Sequence, residues 1–143
     1  MEPVVLQRII ELPPSRRGLH DITERVAAVV EKSEVHTGLC HVFIQHTSAS
    51  LLIQENADPS VLADLDAWFS RAAPDGDARW THRDEGPDDM PSHLRSALTA
   101  ASLTIPVMDG RLALGTWQAV YLFEHRLAPH KRRLVVTVHG GSA

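Results

Sequence analysis

A chain of 143 residues with 43% hydrophobic and 22% charged residues fits one domain and is too apolar for a disordered protein. The formal net charge of −4 argues against a general nucleic-acid binder, which carries a basic excess; the one basic cluster, His130-Lys131-Arg132-Arg133, reads most simply as a solvated turn before a strand. A single cysteine, Cys40, excludes an internal disulfide, and the absence of a basic or long apolar leader argues against secretion or membrane insertion, so a cytoplasmic location is expected.

Residues 4–12, VVLQRIIEL, are rich in β-branched side chains and predict a first strand, which Pro13-Pro14-Ser15 ends. Asp21 offers an N-cap with Glu24 as its capping-box partner. Ile22, Val26, Val29 and Val30 then follow at helical spacing, predicting an amphipathic helix over 21–33. Residues 39–47, LCHVFIQHT, predict a strand whose one face carries Cys40, Val42, Ile44 and finally His46. A histidine closing an apolar face is costly without a partner. Ser48-Ala49-Ser50 turns the chain, and 51–54 look extended.

Asp58-Pro59 is a strong helix start, and Val61, Leu62, Leu65, Trp68 and Phe69 form the apolar stripe of a helix closed by Pro74-Asp75-Gly76-Asp77. Residues 74–91 have neither period. With Trp80, His82 and the acids Asp77, Asp84, Glu85, Asp88 and Asp89, they predict an ordered functional loop. Asp89 and Ser92 are candidate caps for a short helix over 91–101 with His93 in its first turn. A strand over 103–107, a hairpin at Asp109-Gly110, a long strand over 111–125 and a last strand over 133–139 complete the chain. Helices clustered early and antiparallel strands at the end argue for an α+β fold in one domain, 1–143.

Nine histidines stand out, because histidine is the commonest metal ligand. His46-Thr47-Ser48-Ala49-Ser50 could bind a metal, a phosphate or both, although these five residues alone fit a capped turn with a core-edge histidine slightly better. His82 and His93 lie eleven residues apart, outside the short zinc spacings, so three unrelated surface histidines is the simpler reading of spacing by itself. Asp84, Glu85, Asp88 and Asp89 are either a solvated acidic loop or oxygen ligands for Mg²⁺, and Glu85 is near enough to His82 in the chain to orient it. Gly115-Thr116-Trp117-Gln118 and Glu124 interrupt an apolar strand; Glu124 there needs a partner or a role. Glu55 is left without an explanation, whereas Asp58 is explained as a cap.

Three blocks, HTSASLLIQENADP (46–59), H-x-x-E-G-x-D-D-M-P-S-H (82–93) and GTWQ-x5-E-x-R (115–126), resemble in order and spacing the YjbQ-like family, also known as the secondary thiamine-phosphate synthase family. The resemblance covers the chain from Gly18 to the last strand. It implies a closed, barrel-like mixed or antiparallel sheet with about three helices, and a homotrimer. It implies a weak transferase activity joining a hydroxymethylpyrimidine pyrophosphate to a thiazole phosphate. It also implies a divalent metal at His46, His82 and His93, zinc-type at the histidines or Mg²⁺ with a pyrophosphate substrate. Glu55, Glu85, Gln118 and Glu124 match its polar positions and are the expected catalytic groups, with Thr47, Ser48 and Ser50 on substrate phosphate. A zinc-type hydrolase of a phosphorylated small molecule and a non-enzymatic trimeric metal- or ligand-binding protein remain alternatives. No nucleic-acid or membrane partner is expected.

Overall fold

The computed structural model describes residues 2–143. The chain is an α+β domain built on two curled antiparallel sheets that form a half-barrel, with three helices on and between them. Strand β1 (Pro3–Leu12) pairs with β8 (Arg132–Ser142), β8 with β3 (Val35–Ile44), and β3 with β5 (Ser102–Met108), with the short β6 (Arg111–Leu112) at the edge. The second sheet runs β2 (Gly18–Asp21), β7 (Gln118–Glu124), β4 (Ala49–Glu55). The two sheets touch through an isolated Leu51–Ala100 bridge, and the Ile22 N–H to Val120 carbonyl bond of 2.8 Å extends the β2–β7 pairing toward the first helix.

Alternation of side chains sorts the five-stranded sheet into two faces. Cys40, Val42, Ile44, Ile105, Val107, Leu134, Val136 and Val138 are buried on the inner face. Helix α1 (Thr23–Ser33) closes over this core with Val26, Val29 and Val30, each such valine contributing about 1.5–3 kcal/mol by leaving water. The sheet can curl this tightly because Gly38 faces Gly140 across β3 and β8: a Cβ on Gly38 would stand 2.0 Å from the His139 carbonyl oxygen. Gly140, with φ +156°, also occupies the region that side-chain-bearing residues avoid.

Most predicted elements stand, with shifted ends. Strand β3 begins and ends earlier than 39–47, so His46 lies just beyond it. Asp21 belongs to β2, a strand too short to leave a periodic trace, and accepts the Thr23 N–H at 2.9 Å in place of a capping box. Asp58 caps helix α2 (Pro59–Ala72) through the Ser60 N–H. Helix α3 (Asp89–Leu98) starts two residues before the expected 91, which puts Asp89 inside its first turn and not at a cap. The expected long strand over 111–125 is two strands, because residues 113–117 leave the sheet and Asn56 binds the carbonyls of Thr116 and Gln118. The loop over 74–88 is pinned by Trp80 Nε1 to the Pro74 carbonyl (3.0 Å), the Gly76 N–H to the Pro87 carbonyl (3.0 Å), and an Arg17–Asp75 ion pair of 2.8 Å.

Candidate functional site

The first turn of α3 and the loop before it bring two of the expected histidines onto one carboxylate. Asp89 and His93 are one helical turn apart and so share a face, while the loop returns His82 over the same spot. His82 Nε2 stands 2.6 Å and His93 Nε2 3.2 Å from Asp89 Oδ2. The two rings meet edge to face with centroids 5.4 Å apart. The candidate ligand atoms of His82, Asp89 and His93 all lie within 4.8 Å of one another. Ligands at about 2.0–2.1 Å from a tetrahedral zinc ion sit ~3.3 Å from each other, so the three atoms would need only small movements to hold one.

Asp89 is 2% exposed, and its second oxygen, Oδ1, accepts from Arg126 Nη1 at 2.7 Å. Burial alone would raise this carboxyl, but the His82 hydrogen bond, the Arg126 guanidinium and His93 outweigh it and hold the group below the ordinary aspartate range. Asp88 behaves likewise: burial opposes its charge, yet Arg126 Nε (2.8 Å) and the Leu127 N–H (2.9 Å) keep it lowered. Arg126 Nη2 donates to the Glu85 carbonyl at 3.0 Å, so this one guanidinium ties the loop to α3.

Behind Arg126 lies a buried ion pair. Glu124, fully buried at the end of β7, accepts from Arg132 Nε at 2.7 Å and Nη2 at 2.6 Å. It also accepts from the backbone N–H groups of His125 and Arg126. Arg132 continues to the hydroxyl and carbonyl of Ser48. The carboxylate that the sequence left in need of a partner therefore has one, and the pair links the turn after β3 to the carrier of Arg126.

His46 is placed elsewhere than in the His82–Asp89–His93 group. Its Nε2 accepts the Arg133 N–H at 2.8 Å, and with β3 ending at Ile44 its ring faces an open groove of about 550 Å³ lined by Phe43, Gln45, Thr47 and Ser48. Partial burial, then the positive charge of Arg132, lowers the His46 pKa against the opposing pull of Glu124. Asp89, and not His46, is the third member of the group that His82 and His93 form. The signal was present in the sequence as an Asp and a His four apart, but it only counts once both lie on one helix.

The remaining expected residues divide. Thr47 and Ser48 line the groove beside His46, whereas Ser50 is buried and bonded to His125 Nε2 (2.8 Å) and the Thr99 hydroxyl, so its hydroxyl is not presented to a ligand. Glu85 is exposed and reaches the network through its carbonyl. Glu55 and Gln118 face each other at the far end of β4 and β7, with Glu124 at the near end, six residues and ~20 Å away. Both have local work: Glu55 accepts the Ala57 N–H at 2.9 Å, and Gln118 Oε1 accepts the Gly115 N–H at 2.8 Å. Within one chain they do not share a site with the histidines. Arg126 and Arg132 were not singled out by the sequence reading as site residues.

A cavity of about 340 Å³ adjoins His82, lined by Ala78, Trp80, Arg83, Gly86 and Pro87. No helix among the described residues is long and apolar enough to cross a membrane.

Comparison with known proteins agrees with this architecture. Residues 8–141 match the family described as UPF0047 protein YjbQ-like. A UPF0047 protein of Synechocystis is 52% identical over 134 residues, covering 94% of this chain and 91% of its own, and the YjbQ protein of Salmonella typhimurium is 44% identical, covering 94% and 97%. The crystal structure of a YbjQ-like protein of unknown function from Sulfolobus solfataricus superposes with a TM-score of 0.87 at 27% identity, covering 98% of this chain and all of its own. A conserved hypothetical protein of Thermus thermophilus gives 0.80 at 36% identity, covering 90% and 97%. Matched along nearly its whole length in sequence and in fold, the chain belongs to the UPF0047 YjbQ-like family.

Proposed function

We propose that the protein is a divalent-metal-dependent enzyme acting on a phosphorylated small molecule, with the metal held by His82, Asp89 and His93. The observation that carries this reading is the convergence of two imidazoles on one oxygen of a buried, Arg-paired carboxylate beside a ligand-sized cavity. Two nitrogen ligands and one carboxylate suit a transition metal of the zinc type better than Mg²⁺, which favours all-oxygen surroundings. Such an ion would supply Lewis-acid stabilisation of charge developing on a phosphoryl or leaving oxygen. The chain's own groups would orient the substrate: Trp80 and Pro87 along the cavity wall, and Thr47 and Ser48, with the Arg132 charge behind them, toward a phosphate in the groove at His46.

The reaction that the family resemblance implies is transfer of a hydroxymethylpyrimidine unit from its pyrophosphate to a thiazole phosphate, with release of pyrophosphate. That transfer needs stabilisation of a departing diphosphate, which a metal and hydroxyl donors provide. A hydrolytic reading has one observation in its favour. Asp88 and Asp89 both pair with Arg126, so the acidic loop does not present them as a free oxygen cluster for Mg²⁺-diphosphate.

Self-association into a homotrimer completes the proposal. The outer face of the five-stranded sheet carries an apolar row, Ile9-Val135-Phe43, and a second row, Val5-His139-Leu39, in which an exposed histidine separates the two apolar side chains; between them runs a row in which Gln7 bonds Thr137 and His41 bonds Thr104. Val5 is 72% and Ile9 54% exposed. With its middle row already satisfied, the face offers apolar area for another copy of itself. The single buried cysteine suits a reducing compartment such as the cytoplasm.

The test is metal content and turnover of purified, untagged protein. About one zinc-type ion per chain, lost in His82→Ala, supports the centre; no bound ion after zinc is supplied without chelators defeats it. Pyrophosphate released only when both substrates are present supports transfer, and phosphate released from one substrate alone supports hydrolysis.

A further inference from the structure

We infer that Arg126 is a positioning residue that sets the selectivity of the metal centre, by holding Asp89 to a single free oxygen; this rests on the metal reading above. A carboxylate with both oxygens free can chelate a hard ion through two contacts, as in calcium sites. Here Arg126 Nη1 takes Oδ1 at 2.7 Å and leaves only Oδ2 turned to His82 and His93. Arg126 is itself held at three further points, two on its guanidinium and one on its backbone. Its Nε binds Asp88 Oδ2, its Nη2 binds the Glu85 carbonyl, and its backbone N–H binds Glu124 Oε2. Glu124 is in turn clamped by Arg132. The fork geometry of arginine fixes the plane of the Asp89 carboxylate, which a lysine point charge would not do.

Such outer partners of a metal ligand orient it and are worth about 10- to 100-fold in metal affinity. Arg126 does more than support the fold if it enforces one-oxygen ligation, because its loss should then change which ions bind as well as how tightly. The centre should prefer zinc-type ions in the native protein and shift toward ions that accept two carboxylate oxygens when Arg126 is removed.

The experiment measures Zn²⁺ and Mn²⁺ affinity by competition with a chromophoric chelator, together with the visible absorption of the Co²⁺-loaded protein. It compares wild type, Arg126→Met and Asp88→Asn. Zinc affinity is expected to fall about 10- to 100-fold in Arg126→Met, with a smaller loss or a gain for Mn²⁺. The intense visible bands of low-coordinate Co²⁺ are expected to weaken. Asp88→Asn leaves the Arg126–Asp89 contact in place but removes one restraint on the guanidinium, so it is expected to weaken zinc less than Arg126→Met does, and melting curves identify any variant that fails to fold. Equal metal affinities and an unchanged cobalt spectrum in a folded Arg126→Met overturn the inference, as does Asp88→Asn weakening zinc as much as Arg126→Met. If the wild type itself binds no transition metal, the metal reading has failed instead, and the two failures are thereby told apart.

Discussion

His82 Nε2 and Asp89 Oδ2 stand 2.6 Å apart, close enough that without a metal a proton must lie between them. An ion binding there takes the place of that proton. Zinc at a hundred times its dissociation constant is expected to stabilise the wild type by about 2.7 kcal/mol, and Mg²⁺ at the same concentration by far less. His93→Ala and Asp89→Asn should lose the zinc increment. His46→Ala should keep it, since His46 is bonded to the Arg133 N–H in a different groove. Thermal melts with and without zinc read all of these, and loss of the increment in His46→Ala would return that histidine to the ligand set.

His125 gives a pH signature. Burial foremost, then the charges of Arg95, Arg17 and Arg132, push its pKa down from 6.5 to about 3. The unfolded chain therefore binds a proton between pH 6.5 and about 3 that the folded chain refuses, and stability must fall as pH drops through that window. The Asp88 and Asp89 contributions are lost only lower, below the ordinary aspartate value, because their folded pKa values are depressed. His125→Gln should flatten the dependence of the melting temperature on pH between 6.5 and 4 while leaving the acid limb. An unchanged slope in that variant would show that His125 is not its source.

The Glu124–Arg132 pair is 0% and 3% exposed, so removing one partner strands a buried charge. Glu124→Gln is expected to cost about 3–5 kcal/mol. At about 2–4 °C per kcal/mol for a chain near this size, the midpoint should fall by roughly 6–20 °C. Glu124→Leu combined with Arg132→Met should recover most of the loss, as buried pairs replaced by apolar groups usually do. Urea denaturation of the two single variants and the double variant supplies the cycle.

Gln118 and Glu55 should act locally. Gln118→Ala removes the acceptor for the Gly115 N–H and is expected to cost about 1 kcal/mol without changing zinc content. Glu55→Gln should loosen the turn into α2 with similarly small effect. Zinc lost from either variant would mean that the far end of β7 reaches the metal centre, and in a homotrimer that end would have to belong to a neighbouring subunit.

Much of the fold was legible because its signals are local. The β-branched run in 4–12, the two-faced alternation in 39–44 and the helical spacing in 22–30 and 61–69 are set by a few consecutive side chains, and Asp58-Pro59 is a complete helix start in two residues. The short β2 and the break at 113–117 were hidden because four residues are too few to show a period, and because Asn56 holds that loop from sixty residues away. His82 and His93 were legible as candidates through the block around them. Asp89 was visible only as a cap or an acidic neighbour until the helix was seen to begin at it.

The sequence by itself determined most of the secondary elements, the apolar inner face, the family and the residue types available for chemistry. Only the tertiary structure decided which of those residues meet. Arg126 reaches Asp89 across 37 positions, Arg132 reaches Ser48 across 84, and Glu55 and Gln118 pair at the end of the sheet remote from Glu124. Those relationships depend on strand register and on where loops return, and both are set by the packing of the whole core, which no short window of residues encodes.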